Sequence, residues 1–299
     1  MIARAAMLCS PRNHTATLHA EVSNMPRIST TAAPTIELYY EDHGSGQPIV
    51  LIHGWPLSHR MWEGQIHALV AAGFRCIAYD RRGFGESDRP ASGYDYDTFA
   101  ADLHALLTAL DLKNVILAGF SMGGGEVARY LGTYGSERIA KAMFLGAVPP
   151  FLLKTADNPT GAPKEVFDGM MAGATADRVA FLANFFPAFF NYDAADTTFP
   201  TDAIAFAKWI AYNASPVGTV ECIRAFGTTD FRADLKKITI PTLVMHGSAD
   251  HIVPLDGSGK LTAATVKGAK LVVIDGAPHG MTATHGARVS AEMIAFAKS

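Results

Sequence analysis

The sequence predicts an α/β fold in which a mostly parallel, doubly wound sheet carries helices on both faces. Short apolar runs that end near Gly, Asp or Ser recur along the chain, and amphipathic helical stretches lie between them. This alternation stops at about residue 149 and resumes at about residue 230. Alternating strands and helices are typical of a parallel sheet, whose ligand chemistry lies at the carboxyl ends of its strands.

The first predicted strand differs from those that follow it. Residues 35–40 mix β-forming and polar side chains, which is typical of an edge strand. The later runs are apolar throughout and bounded by turn residues, as in strands that are buried on both faces of a parallel sheet. These runs are residues 49–52, 75–79, 115–118, 143–145, 242–245 and 271–274.

Two of the predicted helices show one apolar face each. The first helix follows Asp95 and Asp97, which are candidate N-caps. A second helix at the C-terminus is indicated by the same helical spacing. The apolar faces comprise Phe99, Leu103, Leu106, Leu107 and Leu110 in the first helix, and Val289, Met293 and Phe296 in the second.

The segment 149–229 predicts a helical cap over the strand ends. It is rich in Phe and contains no clear buried strand. The α/β core then comprises residues 34–148 and 230–299. Packing within the core is the alternative role for most of these aromatic side chains.

Residues 1–33 differ in composition from the rest of the chain. Arg4, Arg12 and Arg27 accompany a single acidic residue, Glu21. The segment lacks the apolar stretch of roughly 7–15 residues that a secretory signal needs. We expect a disordered or loosely attached extension, or a translation start at Met25, and a transit peptide is the weaker alternative.

Composition excludes several classes of function. Lys and Arg number 25 against 28 Asp and Glu, so the net charge of −3 offers no basic footprint for nucleic acid or an anionic membrane. No run of eighteen apolar residues predicts a transmembrane helix. Cys9, Cys76 and Cys222 have no CxxC spacing, which disfavours a disulfide framework and a cysteine-built zinc site. We therefore expect a cytoplasmic protein.

Ser121 is the candidate nucleophile. The sequence Gly119-Phe-Ser121-Met-Gly123 matches GxSxG between a strand-like run and a predicted helix, which is the pattern of a nucleophile elbow. A side chain at Gly119 or Gly123 would crowd the tight turn that exposes the serine. The alternative is a glycine-rich turn with an unreactive serine.

A serine at its ordinary pKa needs a neighbouring base, and His279 is the candidate. His279 follows the last strand-like run, and Asp250, the candidate acid, follows the run before it. The order Ser, Asp, His is that of α/β-hydrolases and differs from the orders in chymotrypsin and subtilisin. Asp230 and Asp275 are alternative candidates for the acid.

The oxyanion that forms during acyl transfer needs two hydrogen-bond donors. The backbone N–H of Met122, directly after the nucleophile, is one candidate. The backbone N–H of Trp55, in the loop His53-Gly-Trp-Pro56, is the other. We expect His53 to orient this loop without reacting.

The predicted substrate pocket is apolar. Four Phe residues in the six positions 185–190 cannot all face one core, so we expect some of them to line an acyl pocket. The candidates are Phe186 and Phe190 from this cluster, Ile252 beside the acid, and Pro56. Because proline restricts the residue before it, Pro56 would hold the Trp55 amide inward and place the Trp55 carbonyl near an attacking peroxide.

Five motifs together resemble the cofactor-free haloperoxidase and aryl esterase group of α/β-hydrolases, over about residues 35–298. The resemblance implies a triad of Ser121, Asp250 and His279, with an oxyanion hole from the amides of Trp55 and Met122. It also implies ester hydrolysis, formation of peracids from carboxylic acids and hydrogen peroxide, no metal or other cofactor, and often a homo-oligomer. The motifs are His53-Gly-Trp-Pro56, Tyr79-Asp-Arg-Arg-Gly-Phe-Gly-Glu-Ser87, Gly119-Phe-Ser-Met-Gly-Gly-Gly125, His246-Gly-Ser-Ala-Asp250 and Ala277-Pro-His-Gly280.

Two other functions stay open at the level of sequence. The same triad would serve a lactonase or lactamase, because it also cleaves cyclic acyl compounds. A non-catalytic ligand-binding protein on this fold would tolerate loss of a triad residue, whereas all three residue types are present here. Reaction of Ser121 with a fluorophosphonate discriminates an activated serine from such a receptor.

Overall fold

The computed structural model describes residues 26–195 and 200–299, and these residues form an eight-stranded sheet with surrounding helices. The strands are β1 (Arg27–Ser29), β2 (Glu37–Gly44), β3 (Pro48–Ile52), β4 (Arg75–Tyr79), β5 (Val115–Phe120), β6 (Ile139–Leu145), β7 (Thr242–Gly247) and β8 (Lys270–Ile274). The helices are α1 (Glu63–Ala71), α2 (Tyr96–Ala109), α3 (Met122–Tyr134), α4 (Lys164–Ala176), α5 (Arg178–Phe189), α6 (Thr201–Tyr212), α7 (Pro216–Thr228), α8 (Arg232–Leu235), α9 (Gly259–Thr265), α10 (Met281–Thr284) and α11 (Gly286–Lys298). The predicted α/β fold is confirmed.

The order of the strands places the site. The sheet runs β1-β2-β4-β3-β5-β6-β7-β8, and all neighbouring strands from β4 to β8 are parallel. The strand β2 is antiparallel to both of its neighbours, β1 and β4. The connection from β3 through α1 leads to β4 on one side of β3. The later connections lead to β5, β6, β7 and β8 on the other side. Because such crossovers are right-handed, α1 and α3 lie on opposite faces of the sheet. The order reverses at β3, so the loops after β3 and β5 border the crevice where ligands bind in such sheets.

The central strands have the continuous burial that their sequences predict. Every residue of β5 and β7 is buried, as expected where helices cover both faces. The strand β8 differs, because it is an edge strand that leaves Leu271 and Val273 exposed. The expectation that residues 271–274 are buried on both faces is therefore wrong.

The antiparallel edge of the sheet also differs from the sequence prediction. Residues 35–40 were expected to form an edge strand, but β2 is covered on its outer side by β1. Ile28 in β1 is buried, and Arg27 pairs with Tyr39. The predicted loose extension 1–33 is thus wrong for residues 27–29, which belong to the sheet. Residues 1–25 lie outside the described residues.

The helix α2 begins where its cap was expected. The Asp95 carboxylate accepts a hydrogen bond of 2.9 Å from the Thr98 N–H, while Asp97 lies inside the first turn. The predicted apolar side chains of this helix are buried in the hydrophobic core, apart from the half-buried Leu110, and so are Val289 and Met293 of α11. Among the described helices, none combines the length and the apolar character needed to cross a bilayer.

Between β6 and β7 the chain forms the helices α4 to α7, which we call the helical insertion (residues 164–228). The helix α4 packs against α5 and α7, and α5 also packs against α6. Trp55, from the loop after β3, contacts this insertion through Phe185 and Phe226, with ring centroids 5.2 and 5.6 Å apart. The insertion therefore packs against one of the loops that border the crevice.

Candidate active site

Ser121 lies in the tight turn between β5 and α3. Its backbone has a φ of +52°, a left-handed conformation that side chains other than glycine rarely adopt. The flanking glycines make this turn possible, since a Cβ at Gly123 would lie 2.4 Å from the Ile52 carbonyl oxygen. A Cβ at Gly119 would lie 2.4 Å from the Gly123 carbonyl oxygen. The turn has the geometry of a nucleophile elbow.

The structure brings Ser121, His279 and Asp250 into one hydrogen-bonded chain. His279 Nε2 lies 2.9 Å from Ser121 Oγ, and His279 Nδ1 lies 2.7 Å from Asp250 Oδ2. Because a carboxylate only accepts, Nδ1 carries the ring proton and Nε2 has a lone pair for the serine hydroxyl. This is the arrangement in which an imidazole can remove the serine proton.

The Asp250 carboxylate is fixed by both of its oxygens. Its Oδ1 accepts hydrogen bonds from the backbone N–H of Ile252 and of Val253, at 3.0 and 2.8 Å. Burial by itself would raise the pKa of Asp250, but the facing imidazoles of His279 and His246 outweigh it and hold this pKa well below its usual range. The carboxylate therefore stays ionised at neutral pH, and the stability it adds is fully present above the pKa of an unfolded aspartate and is lost as the pH falls from there through the lowered pKa.

The two alternative acids lie elsewhere. The Asp230 carboxylate pairs with the Arg232 guanidinium at 2.6 Å. The Asp275 carboxylate accepts from Ser248 Oγ at 3.0 Å. Asp250 is thus the carboxylate that the structure places against His279.

The candidate oxyanion donors flank Ser121. A Cβ at Gly54 would lie 3.0 Å from Ser121 Cβ, so the loop after β3 approaches the serine closely. Within the described parts of the chain, the backbone N–H groups of Trp55 and Met122 have no backbone or side-chain acceptor. Two unpaired amides beside a serine can donate to an oxyanion.

His53 orients the peptide group between Gly54 and Trp55. Its Nδ1 donates to the Gly54 carbonyl at 2.9 Å, and the Leu57 N–H donates to the same carbonyl at 2.9 Å. Because the C=O and N–H of a trans peptide point in opposite directions, fixing this carbonyl fixes the direction of the Trp55 N–H. Burial lowers the pKa of His53 well below its usual value, and its Nε2 accepts the Arg81 N–H at 3.0 Å.

Arg81 and Glu126 hold His53 in place, and neither residue was predicted from the sequence. The Arg81 guanidinium donates to the His53 carbonyl at 3.0 Å and to Glu126 Oε2 at 2.8 Å. The hydroxyl of Tyr79 donates to the other oxygen of Glu126. The signal in the sequence was Glu126 itself, a charged residue on the otherwise apolar inner face of the helix that follows the elbow.

A cavity of about 720 Å³ opens beside Ser121 and His279. Most of its wall is apolar, and the helical insertion contributes much of it. The lining comprises Trp55, Ser121, Val148, Phe151, Leu152, Thr160, Gly161, Ala162, Val166, Phe167, Met170, Phe181, Asn184, Phe185, Phe226, His251, Ile252, Val253, Pro254, Asp256, Gly257 and His279. Ile252, which the sequence predicts as a pocket residue, is among them.

Three predicted pocket residues do not line this cavity: Pro56, Phe186 and Phe190. The way α5 is rotated about its own axis, and the residue at which it ends, explain why Phe186 and Phe190 do not line the cavity. Phe181 and Phe185 are four residues apart and share the face toward the cavity, so Phe186 points into the packing between helices and is completely buried. Phe190 follows the end of α5 and lines a separate cavity between α1, α6 and α11.

A comparison with known families gives the same result as the geometry. Residues 47–285 match the family model of the alpha/beta hydrolase fold. The chain belongs to the α/β-hydrolase family.

Similar α/β-hydrolases carry related names. The chain is 44% identical over 257 residues to a non-heme chloroperoxidase of Kitasatospora aureofaciens, and the matched residues cover 86% of this chain and 93% of that protein. It is 37% identical over 275 residues to a bifunctional esterase/perhydrolase of Acinetobacter calcoaceticus, covering 90% of this chain and 99% of that protein. The crystal structure of a bromoperoxidase from Bacillus anthracis superposes with a TM-score of 0.86 at 50% identity, over 92% of this chain and all of that one. The resemblance to the haloperoxidase and esterase group is confirmed.

The position of Phe185 in this α/β-hydrolase predicts a change in selectivity. We expect Phe185→Ala to enlarge the cavity and to raise kcat/KM for p-nitrophenyl octanoate relative to the acetate by about tenfold. Phe186→Ala is the matched control, since it should leave this ratio unchanged and cost about 3–5 kcal/mol of unfolding free energy. Steady-state kinetics and urea unfolding measure the two effects. Equal changes of the ratio in both variants would contradict the assignment of the cavity wall.

Proposed function

We propose that the protein is a serine hydrolase that cleaves carboxylic esters through an acyl-enzyme and also transfers the acyl group to hydrogen peroxide. The single observation that carries this proposal is the hydrogen-bonded chain Ser121–His279–Asp250 at the wall of an apolar cavity. The names of the relatives, which include both haloperoxidase and esterase/perhydrolase, support the second activity.

In the first half of the reaction Ser121 Oγ attacks the carbonyl carbon of the ester. His279 Nε2 takes the hydroxyl proton, and the Asp250 carboxylate stabilises the imidazolium that forms. The N–H groups of Trp55 and Met122 donate to the carbonyl oxygen as it becomes negative. The bond to the leaving alkoxide then breaks, and the alkoxide takes the proton from His279.

In the second half a small nucleophile attacks the acyl-enzyme. His279 Nε2 takes a proton from water or from hydrogen peroxide, the bond between the acyl carbon and Ser121 Oγ breaks, and the serine regains its proton. Water gives a carboxylic acid, and hydrogen peroxide gives a peracid. A free carboxylic acid serves as the acyl source when water is the leaving group. The peracid oxidises bromide in solution to hypobromous acid and becomes a carboxylate, so halogenation uses no halide site on the protein.

The cavity favours neutral, apolar acyl substrates. Aromatic side chains such as Trp55, Phe151 and Phe185 form much of its wall, and none of the lining residues given above is Lys or Arg. Asp256 adds a negative charge. A further carboxylate on the substrate, beyond the acyl group that reacts, would lose hydration in this cavity without gaining an ionic partner.

A bromination assay tests the peroxide activity. Enzyme, acetate, hydrogen peroxide and bromide should together brominate a reporter such as monochlorodimedone, and omitting acetate should abolish the reaction. A chelator should leave the rate unchanged. Bromination that persists in Ser121→Ala, or that depends on an added metal, would refute the mechanism. A parallel panel of aryl acetates and lactones separates esterase from lactonase activity.

We further propose that the protein meets these small substrates in the cytoplasm. The thiols of Cys76 and Cys222 are buried and unpaired, which suits a reducing compartment. Fractionation of cells that produce the full chain tests this location.

A further inference from the structure

A second histidine contacts the acid of the triad. His246 lies near the end of β7, four residues before Asp250, and is completely buried. Its Nε2 lies 2.8 Å from the Val253 carbonyl oxygen and 3.3 Å from Asp250 Oδ2. Because a carbonyl only accepts, Nε2 carries the ring proton, and that N–H lies between two oxygens of the loop that follows β7.

This contact completes the set of donors around the Asp250 carboxylate. The amides of Ile252 and Val253 hold Oδ1, and the imidazoles of His279 and His246 both face Oδ2. Without His246, the orientation of the carboxylate would depend on the His279 Nδ1–H and the two backbone amides alone. With it, Oδ2 is confined between two rings, and Val253 is linked to β7 by its carbonyl as well as to Asp250 by its amide.

The ring of His246 is itself confined. Its Nδ1 has no hydrogen-bond partner among the described residues, and it faces Gly259. A Cβ at Gly259 would lie 2.6 Å from this nitrogen, so the backbone of α9 packs directly against the ring and leaves no room for a side chain between them. His246 neither lines the reaction cavity nor bonds to Ser121 or His279. Within the described ranges, its polar partners are the Val253 carbonyl oxygen and Asp250 Oδ2.

We propose that His246 is a positioning residue, which holds Asp250 Oδ2 against His279 Nδ1 through its shared Nε2–H. The inference rests on the proposed function, because it concerns how the acid of the triad is aligned. A carboxylate that rotates away loosens its hold on the Nδ1 proton, so His279 Nε2 faces the serine hydroxyl for a smaller fraction of the time. The effect falls on kcat, since His246 contributes nothing to the wall that contacts substrate.

Three variants of His246 test the role of its N–H. His246→Leu removes the donor, and we expect kcat for p-nitrophenyl acetate to fall by about 10–100-fold with KM changed less than about twofold, as for other partners that orient a reacting group. His246→Gln places an amide nitrogen at the same distance along the side chain as Nε2 and should restore kcat to within about threefold of the native value. His246→Asn reaches only the position of Nδ1 and should behave like His246→Leu.

The low-field proton resonance of His279 Nδ1–H gives an independent readout. It should broaden or move upfield in the Leu and Asn variants and stay in place in the Gln variant. Thr242→Val is the matched control, because it removes a buried hydroxyl from the same strand, bonded at 2.9 Å to the Ile240 carbonyl, without touching Asp250. It should change neither kcat nor the resonance.

Two outcomes would overturn the inference without affecting the proposed function. One is a native kcat and resonance in folded His246→Leu. The other is an equal kcat for His246→Gln and His246→Asn. This second comparison tests the inference even if His246→Leu does not fold. The proposed function fails separately, if Ser121→Ala keeps its esterase activity whatever the residue at position 246.

Discussion

Replacing Ser121 with alanine is expected to lower kcat for ester hydrolysis by about 10⁴-fold or more, because triad residues act as a unit and loss of one removes the covalent route. The His279 lone pair would then face a methyl group. Activity that remains would come from the amides of Trp55 and Met122 and from binding in the cavity. Hydrolysis of p-nitrophenyl acetate measures the fall in kcat, and covalent labelling with a fluorophosphonate should disappear in the same variant.

The side-chain change is small, so the fold should be retained. A melting temperature within a few degrees of the native value establishes this for Ser121→Ala. Ser136→Ala is the matched control, since it makes the same change in a turn before β6 and should leave kcat and labelling unaffected. Near-native esterase activity of purified Ser121→Ala would show that the nucleophile lies elsewhere.

Asp250→Asn is expected to lower kcat comparably, by about 10⁴-fold, through the tautomer of His279. The amides of Ile252 and Val253 need an acceptor, so the asparagine oxygen takes the place of Oδ1 and its NH₂ group faces His279. His279 Nδ1 must then accept, which moves the ring proton to Nε2. A protonated Nε2 donates to Ser121 Oγ and cannot take its proton.

Asp275→Asn provides the control for this variant. Asp275 is an acid in the neighbouring loop, bonded to Ser248 and not to His279, and its replacement should leave kcat unchanged within about twofold. Nitrogen NMR of labelled histidine reports the tautomer of His279 directly. An Asp250→Asn variant with native kcat, or with the proton still on Nδ1, would contradict the explanation.

The sequence allowed the reacting groups to be predicted because each lies in a loop whose form depends on local residues. Gly119 and Gly123 are required because a Cβ at either position would lie 2.4 Å from a backbone carbonyl oxygen. Asp250 and His279 each follow an apolar strand, and adjacent parallel strands bring their ends together. Local pattern and sheet topology together therefore define this part of the site.

The wall of the cavity could not be predicted in the same way. Four Phe residues at positions 185–190 show that α5 is apolar, but the face it turns to the cavity depends on how it packs against its neighbours. Phe185 lines the cavity, whereas the next residue, Phe186, is buried in the interior. The strand β1 was missed because only Ile28 among its three residues is buried, which is too short a pattern for periodicity.

The reacting side chains and many of the side chains that line the cavity come from different parts of the gene. Ser121, Asp250 and His279 follow strands of the sheet, while Phe167, Phe181 and Phe185 belong to the insertion between β6 and β7. Mutations at these three Phe positions leave the hydrogen bonds that join Ser121, His279 and Asp250 in place. A lineage can thereby acquire new substrates while its chemistry stays constant, and recombination that exchanges this one segment between relatives provides a direct route to altered selectivity in directed evolution.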